Sequence, residues 1–249
     1  MLWLILGDVH GQWFSVNKLL DRTLIRHPDI TRIIQVGDLG INWPEGYDHT
    51  GQMAYSKWNV AESVRNAGIP VHWVDGNHEN FGKLEEYGGS GNPDVIHQPR
   101  GSVLEVEGVR VMFFGGAFSI DHKYRVPGVS IWPQETIKRQ EIELALKQKG
   151  PFDALFTHDR PDQFPCPFSG DNPEKDLGGR ADRVALDMLW DKYSPSFWFF
   201  GHYHDEQHGY YRGTDWTLCP MIGYSKSSYY TLWDGKSVYR SWIPQKGLK

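Results

Sequence analysis

The chain has 249 residues, a formal net charge of -5, 39% hydrophobic and 23% charged residues, a globular profile able to bury a large core. That charge argues against a protein built to coat duplex nucleic acid, and no segment has the apolar length needed to span a membrane. Phosphate-bearing ligands stay open, because cations held by carboxylates reverse charge locally. Cys166 and Cys219 have no short-spaced partner and fit free thiols in a reducing compartment. Residues 1–8 are too short and too poor in basic residues for a signal-peptide core, so a cytoplasmic chain is expected. No linker-like stretch divides it, which predicts a single domain over residues 1–249.

In chain order, residues 2–6 form a continuous apolar run and predict a buried strand, followed by the tight loop Gly7-Asp8-Val9-His10-Gly11-Gln12. Val16, Leu19, Leu20 and Leu24 repeat at helical spacing over residues 15–26. Residues 33–36 are a second strand, ending at Gly37-Asp38-Leu39-Gly40; a polar-aromatic loop over 41–49 and a helix over 52–66 follow. Residues 71–74 are a third strand, opening onto Gly76-Asn77-His78-Glu79-Asn80. Three β-loop-α units in a row indicate an α/β fold with its site outside the carboxyl ends of the strands.

The middle changes character. Ser102–Val106 and Val109–Phe114, joined by Glu107-Gly108, predict a β-hairpin. The stretch 120–132, with His122, Lys123, Tyr124 and Arg125, has no period and reads as a loop; Pro133 then starts a helix to about residue 149. Ala154–Thr157 is a strand ending in His158-Asp159-Arg160, a long loop covers 162–179, and residues 182–190 form a short helix. Phe197–Phe200 is another apolar strand, ending in Gly201-His202-Tyr203-His204. Four alternating runs in the tail, at 210–212, 216–219, 229–233 and 237–242, predict antiparallel strands closing a second sheet.

The strand ends offer Asp8, His10, Asp38, Asn77, His158, His202 and His204. Each alone has an ordinary explanation: Gly, Asn and Asp are default turn residues, and a lone His is often a satisfied half-buried side chain. Five such loops, each directly after an apolar strand, are poorly explained by coincidence. Carboxylate, imidazole and amide oxygen suit divalent ions such as Mn, Fe, Ni or Zn, while the lack of Cys weighs against a structural zinc site. The set is too large for one ion at its usual four to six positions (about that many for these metals) and fits two ions sharing a carboxylate.

Gly7-Asp8-Val9-His10, Gly37-Asp38, Gly76-Asn77-His78-Glu79, His158 and Gly201-His202-Tyr203-His204 together resemble the calcineurin-like metallophosphoesterase superfamily, in the family's order. The resemblance implies a four-layer α/β/β/α sandwich with two divalent ions, usually Mn, Fe or Zn (Ni or Co as alternatives), at the strand ends. It implies that Asp8, His10, Asp38 and His204 hold one ion and that Asp38, Asn77, His158 and His202 hold the other. It also implies that His78 protonates the leaving-group oxygen. Two cations so placed lower the pKa of water between them to roughly 7 and supply a metal-bridging hydroxide at neutral pH. Glu79 is expected to cap the turn that follows it.

The first and third motifs look especially like the Ser/Thr protein phosphatase branch, including its phage members. That branch has an Asp-Arg pair after the second motif, where this chain has Leu39-Gly40-Ile41-Asn42. The departure disfavours a phosphoprotein monoesterase, and the double-His ending favours a small or nucleotide phosphodiester, cyclic nucleotides included. Arg160 is the expected phosphate contact, with the loop bearing His122, Lys123 and Arg125 second, because a guanidinium matches phosphate oxygens bidentately. Trp43, Tyr47 and Trp58 are candidates for a base-stacking wall, though packing is the commoner use of such residues. A protein phosphatase and a retired binding module are the competing readings; the filled ligand positions argue against the second.

Overall fold

The computed structural model describes residues 1–40, 60–87, 94–166, 178–223 and 227–244. The expected loop over 41–49, Trp43, Tyr47, Trp58, most of the helix over 52–66 and most of the loop over 162–179 lie outside them.

In order, the elements are β1 (Trp3–Leu6), α1 (Trp13–Arg26), β2 (Arg32–Gln35), α2 (Glu62–Asn66), β3 (Val71–Trp73), α3 (Phe81–Tyr87), β4 (Val95–His97), β5 (Ser102–Val106) and β6 (Val109–Phe114). A 3-10 turn at His122–Tyr124 interrupts the next loop. Then come α4 (Arg139–Ala145), β7 (Ala154–Thr157), α5 (Arg180–Tyr193), β8 (Phe197–Phe200), β9 (Gln207–Tyr211), β10 (Thr214–Leu218), β11 (Ser227–Trp233) and β12 (Val238–Pro244).

They build two six-stranded mixed sheets, ordered β12-β11-β1-β2-β3-β4 and β5-β6-β7-β8-β10-β9. β1, β2, β3 and β4 run parallel to one another, as do β6, β7, β8 and β10; the antiparallel pairs lie toward the edges. Strand alternation sorts the side chains into layers. Trp3, Ile5, Ile34 and Val36 of the first sheet meet Val111, Phe113, Phe156, Phe197 and Phe199 of the second in a shared core. The opposite faces pack on helices: Leu4 and Leu6 with Val16, Leu19 and Leu20 of α1, and Met112, Phe114, Leu155, Trp198 and Phe200 with Leu186, Leu189 and Trp190 of α5. The result is the expected α/β/β/α order. No helix among the described residues is long and apolar enough to cross a membrane.

Four expectations need correction. The tail does not all join the second sheet: β9 and β10 do, but β11 pairs antiparallel with β1 and carries β12 into the first. The helix expected from Pro133 begins only at Arg139. Its early carbonyls are taken by long-range partners, since Arg100 donates to the carbonyls of Gln134, Glu135 and Thr136, and Ala117 N–H to that of Glu135. The helix starts instead where Lys138 N–H donates to Glu141 Oε2 at 2.7 Å, a side-chain cap on the first turn. Residues 81–87 and 95–97, left without an element by periodicity, form α3 and the edge strand β4. Finally, α5 runs from Arg180 to Tyr193, well beyond residues 182–190.

Candidate metal centre

Parallel strands put five loops at one end of the sandwich. β1, β2 and β3 deliver Asp8 and His10, Asp38, and Asn77 and His78; β7 and β8 deliver His158, and His202 and His204. The loops are bonded to each other before any side chain is considered. Val9 N–H and His10 N–H both donate to the Asp38 carbonyl (3.0 and 2.8 Å), and Gly201 N–H donates to that of His158 (3.0 Å).

The backbone there is strained. His10, Asp38, His202 and His204 have φ of 46°, 54°, 72° and 57°, in the left-handed region that non-glycine residues rarely occupy. Each such residue costs on the order of 1–3 kcal/mol and persists only where its surroundings impose it. Glycine is required beside them for close approach. A Cβ on Gly76 would collide with Asp38 Oδ1 and the Asp38 amide, and one on Gly201 with Asp8 Oδ1.

The side chains converge in two groups, Asp8 with His10, Asp38 and His204, and Asp38 with His158 and His202, with ligand atoms within 4.8 Å in each. Asp38 belongs to both. Its Oδ1 lies 3.3 Å from His158 Nε2 and its Oδ2 3.5 Å from His10 Nε2. His204 Nε2 is 3.1 Å from Asp8 Oδ2 and 3.0 Å from His10 Nε2. Asn77 Oδ1 lies 3.2 Å from His158 Nε2 and joins the second group. All the metal-ligand positions expected from the sequence are therefore brought together.

Charge and orientation fit a cation. Burial alone would raise the Asp8 carboxyl, but the neighbouring His10 and His204 imidazoles outweigh it and hold the group well below the usual carboxylate range. Asp38 behaves alike: burial raises it, and the neighbouring His158, His78 and His10 bring it far down. Conversely His158, which burial would lower, is pushed up to about 10 by Asp38. Two buried carboxylates among imidazoles demand positive charge, and a divalent ion satisfies that demand in place of imidazolium protons. Asp8 Oδ2 is buried without a hydrogen bond of good geometry, as a ligand oxygen would be. His158 Nδ1 is 2.8 Å from the Val36 carbonyl, which fixes Nδ1–H as donor and leaves Nε2 as the nitrogen that faces Asp38 and would bind an ion on losing its proton. Burial lowers the His202 imidazole and favours the neutral, ligating form.

His78 is half-buried and packs edge-on against His10, with ring centroids 4.8 Å apart. Its amide donates to Asp38 Oδ1 at 2.7 Å. Arg125, from the loop after β6, places Nη2 2.7 Å from His78 Nε2 and donates from Nη1 to the Asn77 carbonyl at 3.1 Å. Of the expected phosphate contacts, Arg125 is thus the one that reaches the site. Arg160 turns onto its own loop, donating to the carbonyls of Pro161, Asp162 and Phe164, with its guanidinium 5.9 Å from the Tyr203 ring centre. The exposed His122 lies at a tilt against Phe118, with ring centroids 4.9 Å apart, and approaches the Ser119 carbonyl.

Glu79 departs from its expected role. Fully buried, it reaches across to accept the amides of Leu39 (2.7 Å) and Gly40 (3.1 Å), and so holds the loop that carries Asp38. Sequence reading also missed Ser119 and Glu135, both buried, behind Asn77. Ser119 lies just before the stretch read as a loop and Glu135 in the first turn of the expected helix, and no spacing rule selects them.

Residues 1–206 match the calcineurin-like phosphoesterase family. Among curated proteins, the lariat debranching enzyme of Schizosaccharomyces pombe is 28% identical over 225 residues, covering 80% of this chain and 47% of that protein. The chain thus spans about half the length of that relative. Among solved structures, TT1561 of Thermus thermophilus superposes with a TM-score of 0.59 at 12% identity, over 96% of this chain and 97% of that one. A putative 5'-nucleotidase from Staphylococcus aureus gives 0.52 at 12% identity, over 98% of this chain and 54% of that one. At such identities the structural likeness is one of fold. The family match spans the five ligand-bearing loops, and with them the chain belongs to the calcineurin-like phosphoesterases, hydrolases of phosphoester bonds.

Proposed function

We infer that the chain is a two-metal phosphodiesterase acting on small or nucleotide diesters, with some reach to monoesters. The observation that carries this reading is Asp38, whose two oxygens face two separate groups of ligands. One ion would be held by Asp8, His10, Asp38 and His204, the other by Asp38, Asn77, His158 and His202. When bound, such ions supply Lewis-acid charge at phosphate oxygens and a hydroxide at neutral pH.

The protein's own groups do the rest. Asp8 and Asp38, ionised at any physiological pH, set the charge of the site. His78, anchored through its amide to Asp38, is the group placed to hand a proton to the departing ester oxygen, help worth roughly 10²–10⁴ in rate. Arg125, a donor only, makes His78 Nε2 the acceptor, so the proton His78 would transfer sits on Nδ1; the guanidinium also adds a cation that cannot deprotonate beside a phosphate subsite. The diester preference is supported by Leu39-Gly40 in place of an arginine after Asp38.

The test is a panel of phosphoesters, including bis-p-nitrophenyl phosphate, cyclic nucleotides and phosphopeptides, assayed with Mn, Ni, Co and Zn. Diester hydrolysis that depends on added metal is expected. Strong preference for phosphopeptides would make the chain a protein phosphatase, and no turnover with any ion would leave a binding module. His78→Gln should slow esters with poor leaving groups about 10²-fold or more while sparing nitrophenyl esters, which need little protonation. Equal loss on both would remove His78 from the acid role.

A further inference from the structure

Asn77 differs from the other ligands because its amide has two faces, and only the oxygen can bind a cation. Something must decide which face looks inward. Asn77 Nδ2 lies 3.1 Å from Ser119 Oγ, in the loop after β6. Ser119 Oγ in turn lies 2.5 Å from Glu135 Oε2, and the other Glu135 oxygen accepts Trp132 N–H at 3.0 Å and faces Arg125 Nη1 at 3.9 Å. Asn77, Ser119 and Glu135 are 3%, 2% and 1% exposed, so water does not compete for these bonds. Ser119 has one hydroxyl proton. Burial pushes the Glu135 carboxyl up to about 7; above that pH it is a carboxylate with no proton to give, so the Ser119 proton goes to Glu135 and the hydroxyl presents lone pairs to Asn77. Only the amide NH2 satisfies them, and the amide oxygen is left on the side of His158 Nε2, 3.2 Å away.

We propose that Ser119 and Glu135 are positioning residues that lock the Asn77 amide with its oxygen toward the second metal ion. Glu135 orients the Ser119 hydroxyl, and Ser119 orients the ligand; neither touches the ion. The inference rests on the two-ion reading above, in which Asn77 serves the ion shared with His158 and His202. Arg125, donating to the Asn77 carbonyl from the same loop, fixes the backbone of the residue whose side chain Ser119 fixes. The loop after β6 thus acts on the metal centre although it supplies no ligand.

Calorimetric titration of the chelator-treated full chain with Mn²⁺ at pH 8, where Glu135 is ionised, tests this without any assay of turnover, with circular dichroism to check each fold. Wild type and Ser119→Thr, which keeps the hydroxyl, should take two ions with similar affinities. Ser119→Ala should hold one ion as wild type does and the other about 10–100-fold more weakly, the usual cost of removing a hydrogen-bond partner behind a ligand. Glu135→Gln, nearly isosteric, should show the same loss, because its amide can donate to Ser119 and free that hydroxyl to hold the wrong face of Asn77. Wild-type affinity for both ions in either Ser119→Ala or Glu135→Gln overturns the relay. A wild-type chain that takes no more than one ion overturns the two-ion reading, and the relay with it.

Discussion

The two halves of the metal centre are built differently. Around His158 and Asn77 the candidate ligands are buried, apart from the half-buried His202, and two are individually oriented: His158 by the Val36 carbonyl, Asn77 by Ser119. Around Asp8 and His204 the half opens outward, with the His204 side chain 46% exposed against 0% for His158. An inner half held in register by the fold loses little entropy when it binds an ion, whereas an outer half at the surface orders part of itself on binding. The contrast predicts tighter binding within, with the outer position open to solvent and substrate.

Among the described residues Asp38 alone belongs to both groups, so its removal should have the largest effect. Asp38→Asn is expected to lower metal occupancy at both positions and cut diester turnover about a thousandfold or more, a loss of roughly 4 kcal/mol of transition-state stabilisation. Metal analysis after dialysis, beside the rate, checks it. If one position kept full occupancy, Asp38 would belong to a single half and the sharing would be refuted.

The contrast itself is probed by paired histidine variants in chelator. His158→Ala strips a buried positive charge from Asp38 and should destabilise the metal-free chain by about 3–5 kcal/mol, the penalty for an unpaired buried ion. His204→Ala touches an exposed side chain and should cost well under half of that, while weakening one metal position. Urea unfolding of both variants decides, and equal destabilisation would erase the distinction between inner and outer halves.

The cluster of candidate ligands was legible because each follows an apolar strand, most beside a glycine, a pattern set by neighbours in sequence. What held them was not. Glu79 lies next to His78 in the chain but bonds Leu39 and Gly40 some forty residues back, so a local reading made it a turn cap. The same blindness to long-range partners displaced the start of α4, whose leading carbonyls are claimed by Arg100, and sent β11 and β12 to the wrong sheet, since alternation says that a strand exists but not which edge accepts it. Closeness in sequence to His158 favours Arg160 over Arg125 as the phosphate contact; the folded path of each loop reverses that order.

Glu79→Ala tests whether the loop carrying the shared carboxylate depends on that reach. It strands two buried amides, each costing about 1–3 kcal/mol, so a loss of roughly 2–5 kcal/mol is expected, with Glu79→Gln, which keeps one acceptor, between it and wild type. Urea titration of the metal-free chain measures both. A loss confined to metal affinity, with stability unchanged, would mean that the loop holds itself.

The smallest effect comes from behind the inner half, where Asp182 of α5 is buried beside Asp159, the neighbour of His158 in sequence. Burial, with the Asp159 charge adding to it, pushes the Asp182 carboxyl up to about 7, against a hydrogen bond from Ile137 N–H and the charges of Arg100 and Arg183. A carboxyl whose pKa rises on folding favours the folded state most below its unfolded value near 3.8, and that contribution is lost as pH climbs to about 7. Asp182→Asn carries no charge at any pH and its amide oxygen can still accept from Ile137. It should therefore raise stability at pH 8 by about 1–3 kcal/mol, less at pH 5, and leave metal affinity alone. Melting curves at the two pH values, with a metal titration at pH 8, check the three parts together. A gain that is flat with pH would mean that Asp182 is ionised in the fold, whereas altered metal affinity would extend the oriented inner half as far as α5.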